Sequence, residues 1–146
     1  MRTVATFHSS VFNTSEEKHY FINPGCFGDD LARWLIARLR SAGATTDDQP
    51  GQEDFGWFLT FVAPQGPHTC VIALRPGAGW VIWTERRRGL LNSVLGGRGR
   101  DVAPSALMLL HGVLATAPEV TELRWHHRPD FDAGRGDRAA VDPQAP

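Results

Sequence analysis

The sequence predicts an α+β fold, a two-layer sandwich in which a mainly antiparallel sheet carries two helices on one face. Two segments, near residues 31–42 and 104–117, have apolar residues at helical spacing. Three apolar segments between them are separated by short turns that contain Gly and Pro, a pattern typical of an antiparallel meander. A strand-like segment on either side completes the order β-α-β-β-β-α-β.

The first strand is predicted within Thr3 to Phe12, where polar and apolar residues alternate loosely. The first helix follows Asp29 and Asp30, whose carboxylates suit a helix N-terminus. Its apolar face is expected to carry Leu31, Trp34, Leu35, Leu39 and Ala42. Gly43 suits the left-handed residue that ends many helices.

The meander is predicted from three segments, residues 55–63, 69–75 and 80–85. In the first of them, alternation places Trp57, Leu59 and Phe61 on one face of the sheet. Residues 47–54 are interpreted as an acidic, turn-rich connection, and Thr45 and Thr46 as the start of a short edge strand. The second helix has Pro104 in its first turn and stops before Pro118, and a last strand covers residues 120–126.

Length and composition indicate one compact domain, residues 1–127, followed by a tail, residues 128–146, that is rich in Pro, Gly and Asp. Composition leaves open whether this tail docks on the domain, docks on a neighbour or stays disordered. The net charge of −1 gives no overall field that would attract nucleic acid or anionic lipid. Two cysteines and the absence of a signal peptide or apolar span favour a cytoplasmic protein.

Two motifs, "FINPGCFGDDLARWLIARL" and "QEDFGWF", resemble a family of small uncharacterised bacterial proteins with a similar helix start and strand start. The resemblance covers about residues 7–125. It implies a bacterial origin and one compact domain, and it implies no activity and no catalytic residues, because none is established for that family.

Cys26 is the candidate nucleophile because it lies just ahead of a helix N-terminus, where the helix dipole stabilises a thiolate. A partner base would come from His126, or else from His19 or His127, and an acid from Asp30 or Glu53, or else from Asp29 or Asp54. The nearby aspartates oppose a thiolate, and buried cysteines are common. A packed turn residue is therefore the favoured interpretation of Cys26.

No metal site or cofactor is predicted. His126 and His127 are adjacent in a strand and would point to opposite faces of the sheet, so both cannot reach one ion. No other spacing of His and Cys fits a metal centre.

The segment Arg86 to Arg100 combines basic and apolar residues and is the predicted binding surface. Its candidate residues are Arg86, Arg87, Arg88, Leu90, Leu91, Arg98 and Arg100. A protein partner or self-association is favoured, a membrane is not expected, and nucleic acid is the less favoured ligand.

Two functional hypotheses follow. The leading one is a non-enzymatic interaction domain, of an adaptor or immunity-like type, that binds through the open sheet face and this basic segment. The alternative is a small cysteine-dependent enzyme built around Cys26.

Overall fold

A computed structural model of the protein describes residues 1–87 and 101–146. Its elements are β1 (Val4–His8), α1 (Asp29–Ser41), β2 (Thr45–Thr46), β3 (Gly51–Glu53), β4 (Gly56–Ala63), β5 (Gly66–Arg75), β6 (Gly79–Arg86), α2 (Pro104–Ala115), β7 (Thr121–His126) and α3 (Arg128–Asp132). The seven strands in this part of the chain form one antiparallel sheet in the order β2-β4-β5-β6-β1-β7, and β3 pairs with β4 on the same side as β2. The predicted α+β fold class is confirmed.

The sheet has two strands more than the core prediction. β2 is the predicted short edge strand at Thr45–Thr46. β3 lies inside the segment interpreted as a turn-rich connection, where Gly51, Gln52 and Glu53 pair with β4. Such a short strand has too few residues to show a period of two, so its pairing arises from the hairpin with β4 rather than from its own pattern.

The main core lies between the sheet and the two long helices. Leu31, Leu35 and Leu39 of α1 are fully buried, as the predicted helical spacing requires, and they pack in one cluster with Leu107 and Leu110 of α2. The same cluster contains inward residues of the sheet, among them Phe7, Trp57, Leu59, Phe61, Ile72, Trp80, Ile82 and Trp125.

Gly28 fixes the start of α1 close to the sheet. Its φ of 128° lies in a region that other residues rarely adopt, and an added Cβ would lie only 3.2 Å from Cγ2 of Ile72. Its carbonyl accepts a hydrogen bond from the Ala32 N–H at 2.8 Å, which closes the first helical turn.

Residues 128–146, the C-terminal segment, dock on their own domain. Trp125 of β7 and Ala140 exchange two backbone hydrogen bonds of 2.7 and 2.9 Å. Nearby, the N–H of Arg2 donates to the carbonyl of Pro143 at 3.0 Å. The composition typical of a disordered tail therefore belongs to a segment that covers part of an edge strand, because the sheet supplies backbone partners that composition does not reveal.

Candidate functional site

The sheet face opposite α1 and α2, here called the open face, has the chemistry of a binding surface. Alternate residues of the strands point to it, namely Val4, Thr6, Val71, Ala73, Arg75, Val81, Trp83, Arg124 and His126. A second, smaller apolar cluster forms there around Val4, Ala73, Val81 and Trp83. Because Ala73 and Val81, at two central positions of this face, have short side chains, the longer side chains beside them can extend over the sheet surface.

Trp83 is the centre of this face. The guanidinium carbon of Arg75 lies 5.4 Å from its ring centroid, that of Arg128 lies 5.9 Å away, and Phe131 of α3 meets it edge-on at 5.9 Å. Arginines at these distances interact with the ring by a cation–π attraction. The ring of Trp83 therefore lies close to two guanidinium groups.

The two arginines differ in their ion pairing. Arg128 contacts the carboxylates of Glu85 at 3.6 Å and Asp132 at 3.0 Å. Arg75 is exposed and forms no ion pair with any described residue. Arg75 thus presents an uncompensated positive charge on an aromatic surface.

Two concave regions lie on either side of Arg75. The β1–β7 cleft, of about 760 Å³, lies between β1, β7, the β5–β6 turn and the C-terminal segment; its lining residues are Thr6, His8, Arg75, Pro76, Gly77, Ala78, Glu122, Arg124, His126, Phe131, Gly134 and Gly136. The Trp83 groove, of about 360 Å³, is lined by Phe55, Val71, Arg75, Trp83, Glu85 and Arg128.

A β-bulge shapes one wall of the β1–β7 cleft. Thr6 pairs with Arg124 and His8 with Thr121, so β7 has one residue more than β1 over this stretch. Glu122, in the bulge, has a φ of 55° and is the sole non-glycine with positive φ among the described residues. Its carboxylate lies 3.4 Å from Nε2 of His8. The bulge therefore turns an acid towards the cleft at a cost in backbone strain.

The floor of the β1–β7 cleft contains a buried polar pair. Oγ1 of Thr6 and Nε2 of His126 are 2.8 Å apart, and the imidazole meets Phe131 edge-on at 5.5 Å. Nδ1 of His126 is buried and has no hydrogen-bond partner in the described part of the chain. Burial, and to a lesser degree the charge of Arg2, lowers the pKa of His126. The folded structure thus favours the neutral form of this imidazole over the charged form.

Cys26 lies on the other face of the sheet, in the main core. Its thiol donates to the carbonyl of Glu53 at 3.7 Å, and its carbonyl accepts the indole N–H of Trp57 at 2.8 Å. Burial raises the pKa of the Cys26 thiol, and Asp29 and Asp54 raise it further. A neighbouring concavity of about 170 Å³ also touches Arg75. These contacts are those of a packed turn residue.

The two preferred candidates for the catalytic acid, Asp30 and Glu53, do not contact Cys26 through their carboxylates. The carboxylate of Asp30 accepts the N–H of Asn13 at 2.7 Å and the N–H of Leu31 at 2.9 Å, so it joins the 13–18 loop to α1. The Glu53 side chain is exposed, and it is the Glu53 carbonyl that meets Cys26. Neither carboxylate contacts the thiol.

The structure does not bring Cys26 and His126 together. Cys26 packs beside β3 and β4, whereas His126 lies in β7, four strand spacings away across the sheet or roughly 19 Å. The two residues also lie on opposite faces. His127 bonds to the Met1 carbonyl at 3.2 Å and His19 packs on Tyr20, so neither histidine contacts Cys26.

The predicted basic surface is described only at its start. Arg86 is half-buried and donates to the carbonyl of Gln65, and Arg87 is exposed. Arg88, Leu90, Leu91, Arg98 and Arg100 lie outside the described residues.

Of the residues that line the open face, sequence reasoning singled out His126, as the base of an enzyme, and did not single out the arginines or Trp83. Arg75, Trp83, Glu122 and Arg124 come from three strands, and the contacts of Trp83 with Arg128 and Phe131 of the C-terminal segment span about a third of the chain. The alternation within "VIALR" and "WVIWTE" is the signal that places Arg75 and Trp83 on one face.

No helix in residues 1–87 and 101–146 has the length and apolar character needed to cross a membrane. In the same residues, no three His, Cys, Asp or Glu side chains come together as a metal-binding group. No protein-family model matches the sequence, and comparison with curated proteins and with solved structures found no significant match.

Proposed function

We propose that the protein is a non-enzymatic interaction domain that binds an acidic segment of a partner protein on its open face. The observation that carries this proposal is Arg75, an exposed arginine that stacks on Trp83 at 5.4 Å, forms no ion pair among the described residues and borders both concave regions.

The composition of this centre supports a binding role. Trp and Arg are enriched among the residues that dominate protein–protein affinity. Trp buries a large area with few rotatable bonds, and Arg forms bidentate contacts with carboxylates. An arginine already positioned over an indole loses less conformational freedom when it meets an acidic group.

Charge complementarity decides the kind of partner. Of the arginines over Trp83, Arg128 is already neutralised by Glu85 and Asp132, and Arg75 remains for a carboxylate from outside. The floor of the Trp83 groove adds the apolar surface of Val71 and Phe55. An acidic segment with an apolar residue fits this combination.

The alternative, a cysteine-dependent enzyme, has less support. It needs a thiolate with a base beside it, whereas burial raises the pKa of Cys26 and no described histidine contacts the thiol. The open face also lies on the other side of the sheet from Cys26.

The test compares two arginine–tryptophan pairs with the same distance between guanidinium carbon and ring centroid. Arg38 lies 5.4 Å from the ring of Trp34 on the helical layer, as Arg75 does from Trp83 on the open face. Wild type, Arg75→Ala and Arg38→Ala would be used to capture partners from lysate of the native cells, and affinity for the captured protein would be measured by calorimetry.

We expect Arg75→Ala to weaken binding at least tenfold, about 1.4 kcal/mol, and Arg38→Ala to change it less than twofold. Binding should weaken as salt is raised, since the contact is ionic. Equal affinity of wild type and Arg75→Ala, or a partner that binds through a basic segment, would contradict the proposal.

A further inference from the structure

We propose that the β1–β7 cleft is a separate site for an organic carboxylate with an apolar body. Arg75 borders both this cleft and the Trp83 groove, but the principal residue of the cleft, Arg124, does not line the groove, so the two proposals can be tested separately.

The charges that line the cleft favour an anion. Arg124 is exposed and pairs with no carboxylate in residues 1–87 and 101–146; its Nη1 donates only to the adjacent Leu123 carbonyl, at 3.2 Å. Arg75 borders the cleft from the opposite side. Glu122 is the one acid among the lining residues, and it is engaged with His8 at 3.4 Å. Two guanidinium groups therefore remain for a ligand.

The walls of the cleft favour an apolar body on that anion. Pro76 and Ala78 of the β5–β6 turn form one side, and the ring of Phe131 forms another. The volume of about 760 Å³ is within the range of roughly 300–1,000 Å³ found for small-molecule sites and far exceeds that of a bare ion. Arginine forks match the two oxygens of a carboxylate, so an acid with an attached ring or chain satisfies both parts.

Two further observations support this cleft as a site. Nδ1 of His126, in its floor, is one of seven buried side-chain nitrogen and oxygen atoms without a hydrogen-bond partner in the described part of the chain, and the one that belongs to a residue lining the cleft. Glu122 in its wall holds a left-handed backbone, and residues strained in this way cluster at ligand sites. The two features come from different residues and arise independently of the arginines.

The turn that closes the cleft is held against His8 by Gly79. A Cβ at this position would lie 2.7 Å from the Phe7 carbonyl oxygen and 2.9 Å from Nδ1 of His8, and its φ is 77°. The wall opposite is supplied by the C-terminal segment. Ligand binding should therefore also retard hydrogen exchange in that segment, because the bound state requires it to be docked.

The same carboxylate chemistry has two possible sources, a free small molecule or the C-terminal carboxylate of a peptide. The experiment uses nuclear magnetic resonance titration of the labelled full chain with benzoate, with the neutral analogue benzamide, and with a tetrapeptide that ends in Phe, as the free acid and as the amide. Arg124→Ala is the test variant, and Arg38→Ala is the matched control, since Arg38 is an exposed arginine of α1, on the other side of the sheet from the cleft.

We expect benzoate to shift the amide signals of Thr6, Ala78 and Phe131 with a millimolar Kd, and benzamide to bind at least tenfold more weakly. Arg124→Ala should weaken benzoate binding at least tenfold and Arg38→Ala less than twofold. A peptide acid that binds tenfold tighter than benzoate, with its amide inactive, identifies a peptide terminus as the ligand. A peptide acid that binds no tighter than benzoate identifies a free small molecule.

The proposal is overturned if neither acid shifts these signals, if benzamide binds as well as benzoate, or if Arg124→Ala binds like wild type while its spectrum shows a folded protein.

Discussion

His68 is fully buried, and both of its ring nitrogens have partners. Nδ1 lies 2.9 Å from the Gly66 carbonyl oxygen, and Nε2 accepts the N–H of Ala103 at 3.1 Å. Because Nε2 must accept and Nδ1 must donate, these contacts require the neutral tautomer with the proton on Nδ1. This side chain joins β5 to the start of α2, so its protonation state affects the helix position.

Burial lowers the pKa of His68 in the folded protein below its ordinary value of 6.5. A histidine whose folded pKa is lowered favours the folded state above the unfolded pKa and loses that contribution as the pH falls below it. We predict that the free energy of unfolding falls from pH 7.5 to pH 5, and that His68→Gln shows a smaller fall because it keeps hydrogen-bonding groups and does not titrate. Urea unfolding followed by circular dichroism at both pH values measures this.

His126→Gln provides the control for that comparison, since burial lowers the pKa of His126 as well but its Nδ1 has no described partner. If the pH dependence of His68→Gln equals that of wild type, the acid sensitivity has another origin. If the fall in the free energy of unfolding becomes smaller only in His126→Gln, the acid sensitivity originates at His126 on the open face.

At the scale of elements, the bulge in β7 strains the backbone at Glu122 and turns the Glu122 side chain towards the cleft. It inserts one residue between the pairs Thr6–Arg124 and His8–Thr121 and leaves Glu122 with a φ of 55°. A residue with a Cβ in this conformation costs about 1–2 kcal/mol relative to the right-handed region, whereas glycine adopts it readily. The fold retains an acid there although glycine would be less strained.

We predict that Glu122→Gly is more stable than Glu122→Ala by about 1 kcal/mol, because both lose the contact with His8 and only glycine removes the strain. The measurement is the urea midpoint of the two variants at pH 7.5, with equal slopes as the check on comparability. Coincident midpoints would mean that the backbone at residue 122 is not strained.

The whole molecule is closed at its β7 edge by the C-terminal segment. This closure depends on the backbone pairing of Trp125 with Ala140, on the contact of Arg2 with Pro143, and on Phe131 against Trp83. Without the segment, the edge strand and part of the open face would meet solvent, and uncovered edges promote association between copies of a chain.

We predict that deletion of residues 128–146 lowers the free energy of unfolding by roughly 2–4 kcal/mol, from a few hydrogen bonds and part of one aromatic side chain. Ala140→Pro, which cannot donate to the Trp125 carbonyl, should cause a smaller loss, and Gln144→Ala, at an exposed position, almost none. Light scattering should detect self-association of the deletion variant alone. Unchanged stability on deletion would show that the segment contributes nothing to the domain.

At this scale, local patterns predicted the fold better than the candidate site. The buried faces of α1 and β4 follow directly from the spacing of Leu31, Leu35 and Leu39 and from the alternation of Trp57, Leu59 and Phe61. The pairing of β1 between β6 and β7 brings Thr6 and His126 together although they are 120 positions apart in the sequence, and no local period encodes such a contact. The cleft depends on that pairing and on the docked C-terminal segment, so no local pattern assigns its residues to one site. His126 was predicted as a functional residue, but as the base of an enzyme and not as part of this cleft.

The placement of Trp83 has an optical consequence. Of the five tryptophans, Trp34, Trp57, Trp80 and Trp125 pack on the helical side of the sheet, and Trp83 alone faces the other way, beneath two guanidinium groups. Subtracting the emission spectrum of Trp83→Phe from that of wild type therefore isolates one fluorophore on the open face. The protein carries its own reporter for whatever molecule displaces Arg75 from that ring.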